Sequence, residues 1–318
     1  MTQRITVLVN AMKDQAQNIR TYELVSPSGE TLPPFTAGSH IDVFLANGLI
    51  RQYSLSNAPE EQLRYVIGVQ KEENGRGGSK YLHDTVNIGD EIEISVPRNH
   101  FELDESAQKY NLIGGGIGIT PILSMARRLK SLGKPFQLYY ACRNEGRAAF
   151  MEELKSSELS PHVVVSYDDV HGPLKTQTLF GPVEPEVQIY CCGPTGLMDA
   201  VKCATITWPN NTVHFEHFSA DDSTGPKEDD GSFEIIIQST GKVLHVPADK
   251  SILTILEDNG IFVDHACCEG VCGTCETGLL EGDADHRDMI LTDDEKKENQ
   301  VLMVCCSRAK SASLTLDL

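Results

Sequence analysis

The sequence predicts a multidomain chain. It has an antiparallel β-barrel or sandwich at the amino end, an α/β domain on a parallel sheet in the middle, and a small β-rich domain at the carboxyl end. Three observations carry this. Short alternating stretches separated by turn residues fill residues 1–104. Buried apolar strands alternate with helical segments over 105–222. A hairpin pattern, a helix pattern and a group of cysteines occupy 233–318, beyond an acidic stretch with Gly and Pro. At roughly 100–200 residues per domain, 318 residues hold two or three domains.

In the first part, ITVLV, HIDVFL, RQYSLS, LRYVIGV and EIEISV are separated by Gly, Pro, Asn and Asp, the spacing of a barrel or sandwich. No long helical pattern interrupts them. In the second part, YNLIGGG is an apolar run that stops at glycines. ITPILSMARRLKSLG has helical periodicity and a glycine stop. FQLYYACR, HVVVSYDD and EVQIYCCG are further strands, and strands alternating with helices imply a parallel sheet. SADDSTGPKEDDGS is polar and acidic. It reads as a linker, bounded at 223–232, with a long surface loop as the competing reading. FEIIIQSTGKVLHVPADKSILTILEDNG then gives a β-hairpin and a helix. TDDEKKE (292–298) has the pattern of a capped, solvated helix start.

Hydrophobic residues make up 40% and charged residues 23%, ordinary for a globular chain and too apolar for overall disorder. The net charge of −19 argues against nucleic acid and anionic membranes, whose binding needs clustered Lys and Arg. It suits solubility and docking to a basic partner. The start, MTQRITVLVN, lacks a secretory pattern, and no apolar run approaches the about 18 residues of a membrane span. These features predict a cytoplasmic protein whose ten cysteines are reduced or metal-bound.

Cys267-x4-Cys272-x2-Cys275 is the spacing of a plant-type [2Fe–2S] ferredoxin, and Cys305 near the end supplies the fourth ligand. Gly270, Gly273 and Thr274 are small enough for the backbone to wrap a cluster. Cys268 and Cys306 adjoin proposed ligands. The spacing selects Cys267, and strand alternation in QVLMVCC would turn Cys306 away from Cys305. Structural zinc competes, but only one CxxC pair is present. His265 and His286 have no ligand spacing. Cys142, Cys191 and Cys203 read as apolar fillers of the α/β core.

Gly114–Pro121 (GGGIGITP) follows a strand and opens a helix, a place for a pyrophosphate. It departs from the dinucleotide fingerprint, having Pro121 in place of the third small residue and no acidic residue about 20 positions on. Tyr190–Met198 (YCCGPTGLM) is again strand, turn and helix, so the two turns together can line a nicotinamide site. Arg143 follows a third strand and could pair with a phosphate. In Arg51-Gln52-Tyr53-Ser54, Arg51 and Tyr53 share a face and Ser54 takes the other. Asn74–Ser79 (NGRGGS) offers backbone N–H groups, Arg76 and Ser79 to an anion.

These motifs, in this order, with Ala284–Asp288 (ADHRD) and Cys306–Ser311 (CSRAKS), resemble the phthalate dioxygenase reductase family, which includes vanillate O-demethylase reductase components. The resemblance runs from about residue 4 to Leu318. It implies a flavin β-barrel holding FMN rather than FAD, a domain binding NADH, and a C-terminal β-grasp ferredoxin domain with the [2Fe–2S] cluster. Electrons would pass from NADH through the flavin to the cluster and on to a Rieske-type terminal oxygenase. By position, Arg51, Gln52 and Tyr53 would bind the flavin, and Ser54 would lie near its N5. Gly77, Gly78 and Ser79, with Arg76, would hold its phosphate. Gly116, Gly118, Thr120, Arg143, Cys192, Gly193 and Pro194 would meet the nucleotide. Phe218 would pack on the flavin, with a plain core aromatic as its competing reading.

A flavin is also what the chemistry requires, because a hydride donor gives two electrons and a [2Fe–2S] cluster takes one. Other acceptors compete for the output: a quaternary-amine Rieske monooxygenase, a P450, a separate ferredoxin or ferric ions. A redox-sensing regulator is the non-enzyme alternative, but it calls for a basic DNA-binding helix that the sequence lacks. Arg143 leaves NADPH open. A monomer is expected.

Overall fold

The structure is a computed structural model that describes residues 3–184, 186–218, 225–227 and 229–318. Of the expected linker, residues 223, 224 and 228 lie outside the described residues. The chain divides into two units, one reaching to Glu216 and one running from His217 to Leu318.

The first unit begins with six antiparallel strands: β1 Arg4–Ala16, β2 Ile19–Val25, β3 His40–Phe44, β4 Ile50–Ser54, β5 Arg64–Gln70 and β6 Glu91–Ser95. Their order is β4-β3-β6-β1-β2-β5. The two edges meet where Leu55 pairs with Ile67 and Ser56 N–H donates to Val66 O at 2.8 Å, so the sheet closes into a barrel. Alternation puts Val7, Val9, Tyr22, Leu24, Ile41 and Ile67 inside. A helix, α1 (Gly78–Thr85), interrupts the strands, contrary to the expectation from sequence. It buries only Gly78 and Leu82, too few apolar positions to show a helical period.

The parallel sheet follows within the same unit. It contains β7 (Lys109–Gly115), β8 (Phe136–Cys142), β9 (Val163–Tyr167), β10 (Val187–Cys192) and β11 (Val213–Glu216), in the order β11-β10-β7-β8-β9. Helices α2 (Ile119–Ser131), α3 (Met151–Leu154), α4 (Asp168–His171) and α5 (Thr195–Ala204) join the strands. From β7 the chain winds to one side through β8 and β9, then returns to the other through β10 and β11. The carboxyl ends of β7 and β10 therefore flank the switch point, where such sheets open a ligand crevice. Barrel and sheet are joined: Ser124 Oγ on α2 donates to Asn57 O at 2.9 Å, and the Arg127 guanidinium donates to Ser56 O and pairs with Glu153. Cys142 and Cys191 are buried fillers, as expected, but Cys203 is exposed on the solvent side of α5.

The second unit has a mixed sheet of β12 (Phe233–Ile237), β13 (Lys242–Val246), β14 (Glu276–Glu281), β16 (Val301–Met303) and β18 (Ser313–Leu316). Its order is β13-β12-β18-β14-β16, with β12 and β18 parallel. A short pair, β15 (Ala284–Asp285) and β17 (Arg308–Ala309), lies apart. Helix α6 (Ile252–Asp258) buries Ile252, Leu253, Ile255 and Leu256, and Ser251 Oγ caps it by accepting from Thr254 N. Helix α7 (Asp293–Glu298) starts with a full capping box of Thr292 and Glu295, as the sequence predicted. Cys305 corrects an expectation. It lies in a turn after β16, not in the strand, because the chain bends at Val304. Strand alternation therefore does not separate it from Cys306, and both are buried.

Asp230 fastens the approach to this unit. Arg287 donates to its two carboxylate oxygens at 2.7 Å each, and Arg308, 2% exposed, lies 3.3 Å away. Hydrogen bonds from Arg287 hold the Asp230 carboxyl down to about 2 despite burial. A carboxyl lowered in this way stabilises the fold above the ordinary carboxylate range, and the contribution is lost as pH falls toward 2. Asp230→Ala is expected to cost about 1.5–3 kcal/mol at pH 7, as for hydrogen bonds to charged groups. Urea unfolding followed on the second unit checks this, and an unchanged midpoint would contradict it. Among the described residues no helix is long and apolar enough to cross a membrane.

Candidate active site and metal centre

The crevice at the switch point is built from two turns in backbone contact. A Cβ on Gly118 would fall 2.4 Å from Cys192 O, and one on Gly115 would fall 2.8 Å from Pro194 Cδ. Glycine is required at both places because there is no room for a side chain. Beyond them α2 begins, and no side chain caps it, so its N-terminal amides suit an anion. Thr120 is less available than the sequence suggested. Its hydroxyl donates to Ile117 O at 3.0 Å, and its methyl lies 2.8 Å from where a Cβ on Gly68 of β5 would be. Gly193 packs on Gly115, and Pro194 caps α5.

Register brings the chemistry together. Cys192 pairs with Gly114 on one side and with Glu216 on the other. The Ser54 hydroxyl, at the end of β4, donates to Glu216 Oε2 at 3.5 Å, and the Cys192 thiol hydrogen-bonds to the same carboxyl. Burial pushes the Glu216 carboxyl up to about 8, and the bonds to Ser54 and Cys192 offset only part of this. Burial likewise pushes the Cys192 thiol well up, so it is a neutral thiol. Ser54, Cys192 and Glu216 thus form one cluster in which burial disfavours charge on the carboxyl and the thiol. Sequence reasoning missed Glu216. The available signal was a lone acid in HFEHF, at the carboxyl end of a parallel strand.

The barrel supplies an anion cradle. Gly77, in the left-handed region (φ 86), starts α1, which no side chain caps. Arg51 lies over this start: a Cβ on Gly78 would fall 2.4 Å from Arg51 Cγ, and Arg51 Nη2 donates to Arg76 O at 3.1 Å. Ser79 Oγ accepts from Glu72 N at 3.0 Å, which leaves its own proton for a ligand. Tyr53 packs against the barrel core. The Gln52 amide donates to Asp42 at 2.9 Å, joining the Asp42–Arg98 pair. Gly78→Ala should displace Arg51 and raise the flavin Kd about 10- to 100-fold, the value of a lost charge-assisted bond. Fluorescence titration of the flavin-stripped protein checks this, and unchanged affinity would contradict the cradle. Arg143 is exposed at the end of β8, and its carbonyl accepts from Asp169 N at 3.1 Å. Phe218 belongs to the second unit and is 45% exposed.

In that second unit Cys267, Cys272, Cys275 and Cys305 are all buried. Their thiols contact one another as two pairs, Cys267 with Cys272 and Cys275 with Cys305, linked by Cys267 to Cys305. Among the described residues no three His, Cys, Asp or Glu side chains converge on a single-ion position. Two pairs of thiolates are the donor set of a two-iron cluster. The hydrogen bond to Cys267, followed by burial, pushes the Cys272 thiol well up. The loop donates Glu269 N–H to Cys267 Sγ at 3.3 Å and turns through the left-handed region at Gly270 and Gly273. Cys268 also has a positive φ and is exposed. His265 contacts Val263 O and Glu257, and His286 contacts Asn299.

A flavin cradle, a nucleotide crevice and a four-cysteine cage define an iron–sulfur flavoprotein oxidoreductase that uses NADH. The comparisons agree. The oxidoreductase FAD-binding domain matches residues 6–103, the oxidoreductase NAD-binding domain residues 112–203, and the 2Fe-2S iron-sulfur cluster binding domain residues 235–310. The chain is 45% identical to the vanillate O-demethylase oxidoreductase of Pseudomonas sp. (strain HR199 / DSM 7063), over 99% of this chain and 100% of that one. It is also 45% identical to the phthalate dioxygenase reductase of Burkholderia cepacia, over 95% and 94%. A solved structure of phthalate dioxygenase reductase, described as modular for electron transfer from pyridine nucleotides to [2Fe-2S], superposes with a TM-score of 0.75. It is 43% identical and covers 99% of this chain and 98% of that one. The chain belongs to the phthalate dioxygenase reductase family.

Proposed function

We propose that this chain is the reductase component of a two-component system whose acceptor is a Rieske-type terminal oxygenase of the phthalate or vanillate kind. It would use FMN and work as a monomer in the cytoplasm. The observation that carries this reading is the presence in one chain of the Ser54–Cys192–Glu216 cluster and the paired cysteine cage. When bound, the flavin takes both electrons of a hydride and the [2Fe–2S] cluster releases them one at a time.

The residues have separate tasks. Gly77, Gly78 and Ser79 at the start of α1, with Arg51 and Arg76, suit the terminal phosphate of FMN. Gln52 steadies β4 through Asp42, and Tyr53 would flank the ring. Gly116, Gly118 and Thr120 shape the crevice, Cys192, Gly193 and Pro194 form its floor, and Arg143 takes the adenosine end. Asp168 and Asp169 follow close beside Arg143, a setting that favours a ribose hydroxyl over a 2′-phosphate. Ser54 Oγ and Glu216 Oε2 hold a proton at the reacting end. Cys267, Cys272, Cys275 and Cys305 hold the irons.

Residues 217–318 carry 21 Asp and Glu against 8 Lys and Arg, a field suited to a basic acceptor. The test is to mix the NADH-reduced protein with purified Rieske oxygenases, a P450 and a separate ferredoxin in a stopped-flow instrument. The reading expects fast reduction of one Rieske partner, slowing as salt rises. Preference for the P450 or the ferredoxin would overturn the assigned acceptor. Mass analysis of the released flavin separates FMN from FAD.

A further inference from the structure

The ADHRD segment, residues 284–288, has no task in the electron path, yet it lies directly on the cluster loop. Met289 N donates to Gly270 O at 2.9 Å, and a Cβ on Gly270 would fall 3.1 Å from Asp288 Cα. The side chains of His286 and Asp288 are 5% and 0% exposed. Hydrogen bonds fix the tautomer of His286. Asn299 Nδ2 donates to Gly282 O at 2.8 Å, so Asn299 Oδ1 is the acceptor that faces Ala284 N at 3.1 Å and His286 Nε2 at 3.2 Å. The proton of a neutral His286 therefore sits on Nε2. Nδ1 is then a bare acceptor, and it faces another, Asp288 Oδ1, at 3.9 Å. Neither atom has a hydrogen-bond partner among the described residues. Two buried acceptors set against each other lack one proton.

The groups around the pair are already engaged. Asp288 Oδ2 accepts from Ile290 N and Leu291 N at 3.2 and 2.8 Å. Lys296 on α7 donates to Asp288 O at 2.7 Å and stands 3.9 Å from Oδ2. Arg287 is turned to Asp230 and Asp285. Burial, then Glu295 and Asp288, raise the carboxyl of Glu276 on β14.

We propose that His286 and Asp288 form a proton site linked to the charge of the cysteine cage. Nδ1 takes one proton from solvent as the cage takes one electron from the flavin, and the imidazolium donates to Asp288 Oδ1. The proton returns to solvent when the electron leaves, and no bond to iron changes. This rests on the cage holding the cluster. The linkage is reciprocal: added negative charge favours the imidazolium, and the imidazolium favours the electron.

The experiment uses the full holoprotein and electron paramagnetic resonance (EPR) redox titrations from about pH 5 to 8, where an imidazole changes charge. The wild-type cluster should become about three- to tenfold harder to reduce across that range, no more than the low end of what a charge in contact produces. His286→Gln should flatten the profile. Asp288→Asn should flatten it too, because its amide N–H donates to Nδ1 and holds the imidazole neutral. A flat wild-type profile, or a slope that survives both substitutions, would overturn the proposal. If neither variant holds its cluster, 15N spectra of histidine-labelled wild type decide: one imidazole must gain an Nδ1 proton on reduction, and none doing so overturns it. No rhombic signal in the wild type at any pH would sink the cage assignment, and this inference with it.

Discussion

Cys275→Ala protein should accept electrons from NADH into its flavin at the wild-type rate, yet pass them to an external acceptor more than about 100-fold more slowly. Loss of even an outer partner of a metal ligand can cost about 10- to 100-fold, and this change removes a ligand outright. Cys275 contacts Cys305 inside the cage and is 1% exposed, so no other side chain can replace it without rebuilding the loop. The flavin cradle and the crevice belong to the unit ending at Glu216, which the substitution does not touch. Stopped-flow absorbance and EPR on the same sample check both halves. A retained rhombic signal would remove Cys275 from the ligand set. A slowed hydride step would mean that the two units do not act separately.

Substitution of Glu216 should have the opposite signature. Glu216→Ala is expected to slow hydride transfer by about 10-fold, roughly the value of one lost positioning hydrogen bond to Ser54, while dithionite still reduces the cluster. The pH dependence follows from the raised carboxyl. Below about 8 it is neutral and keeps its proton near Ser54; above about 8 it ionises and places a negative charge where the donor must approach. The wild-type rate should therefore fall as pH rises through about 8, and Glu216→Gln should give a flat profile. Stability carries the same sign. A carboxyl raised in the folded state contributes fully below its ordinary range, and the contribution is lost as pH rises through about 8. Thermal unfolding of Glu216→Gln should gain on the wild type over that window. A Glu216→Gln profile that still bends near 8 would assign the titration to another group.

How much of this was legible in the sequence depended on distance along the chain. The Cys267–Cys275 spacing is local, so it announced a cluster at once. The glycine turns at 114–118 and 192–194 were visible one by one. Their backbone contact at Gly118 and Cys192 was not, because it joins segments about 75 residues apart through strand order. Glu216 was missed for the same reason. Nothing near residue 216 says that it stands in register with Cys192 and beside Ser54. Helix α1 has two buried positions and no period to detect. The apolar run of QVLMVCC continues through Cys305 and Cys306, but the strand ends at Met303 and both cysteines fall in the turn after it. Thr120 and Gln52 follow from the resemblance by position, and the fold gives both of them protein partners.

The most direct test is anaerobic titration of the purified protein with NADH, followed by absorbance and EPR together. The account predicts that the flavin band bleaches and that a rhombic [2Fe–2S] signal grows to match the iron and sulfide content. A bleached flavin with no such signal, in protein whose iron and sulfide are intact, would contradict the electron path from the Ser54 site to the cysteine cage.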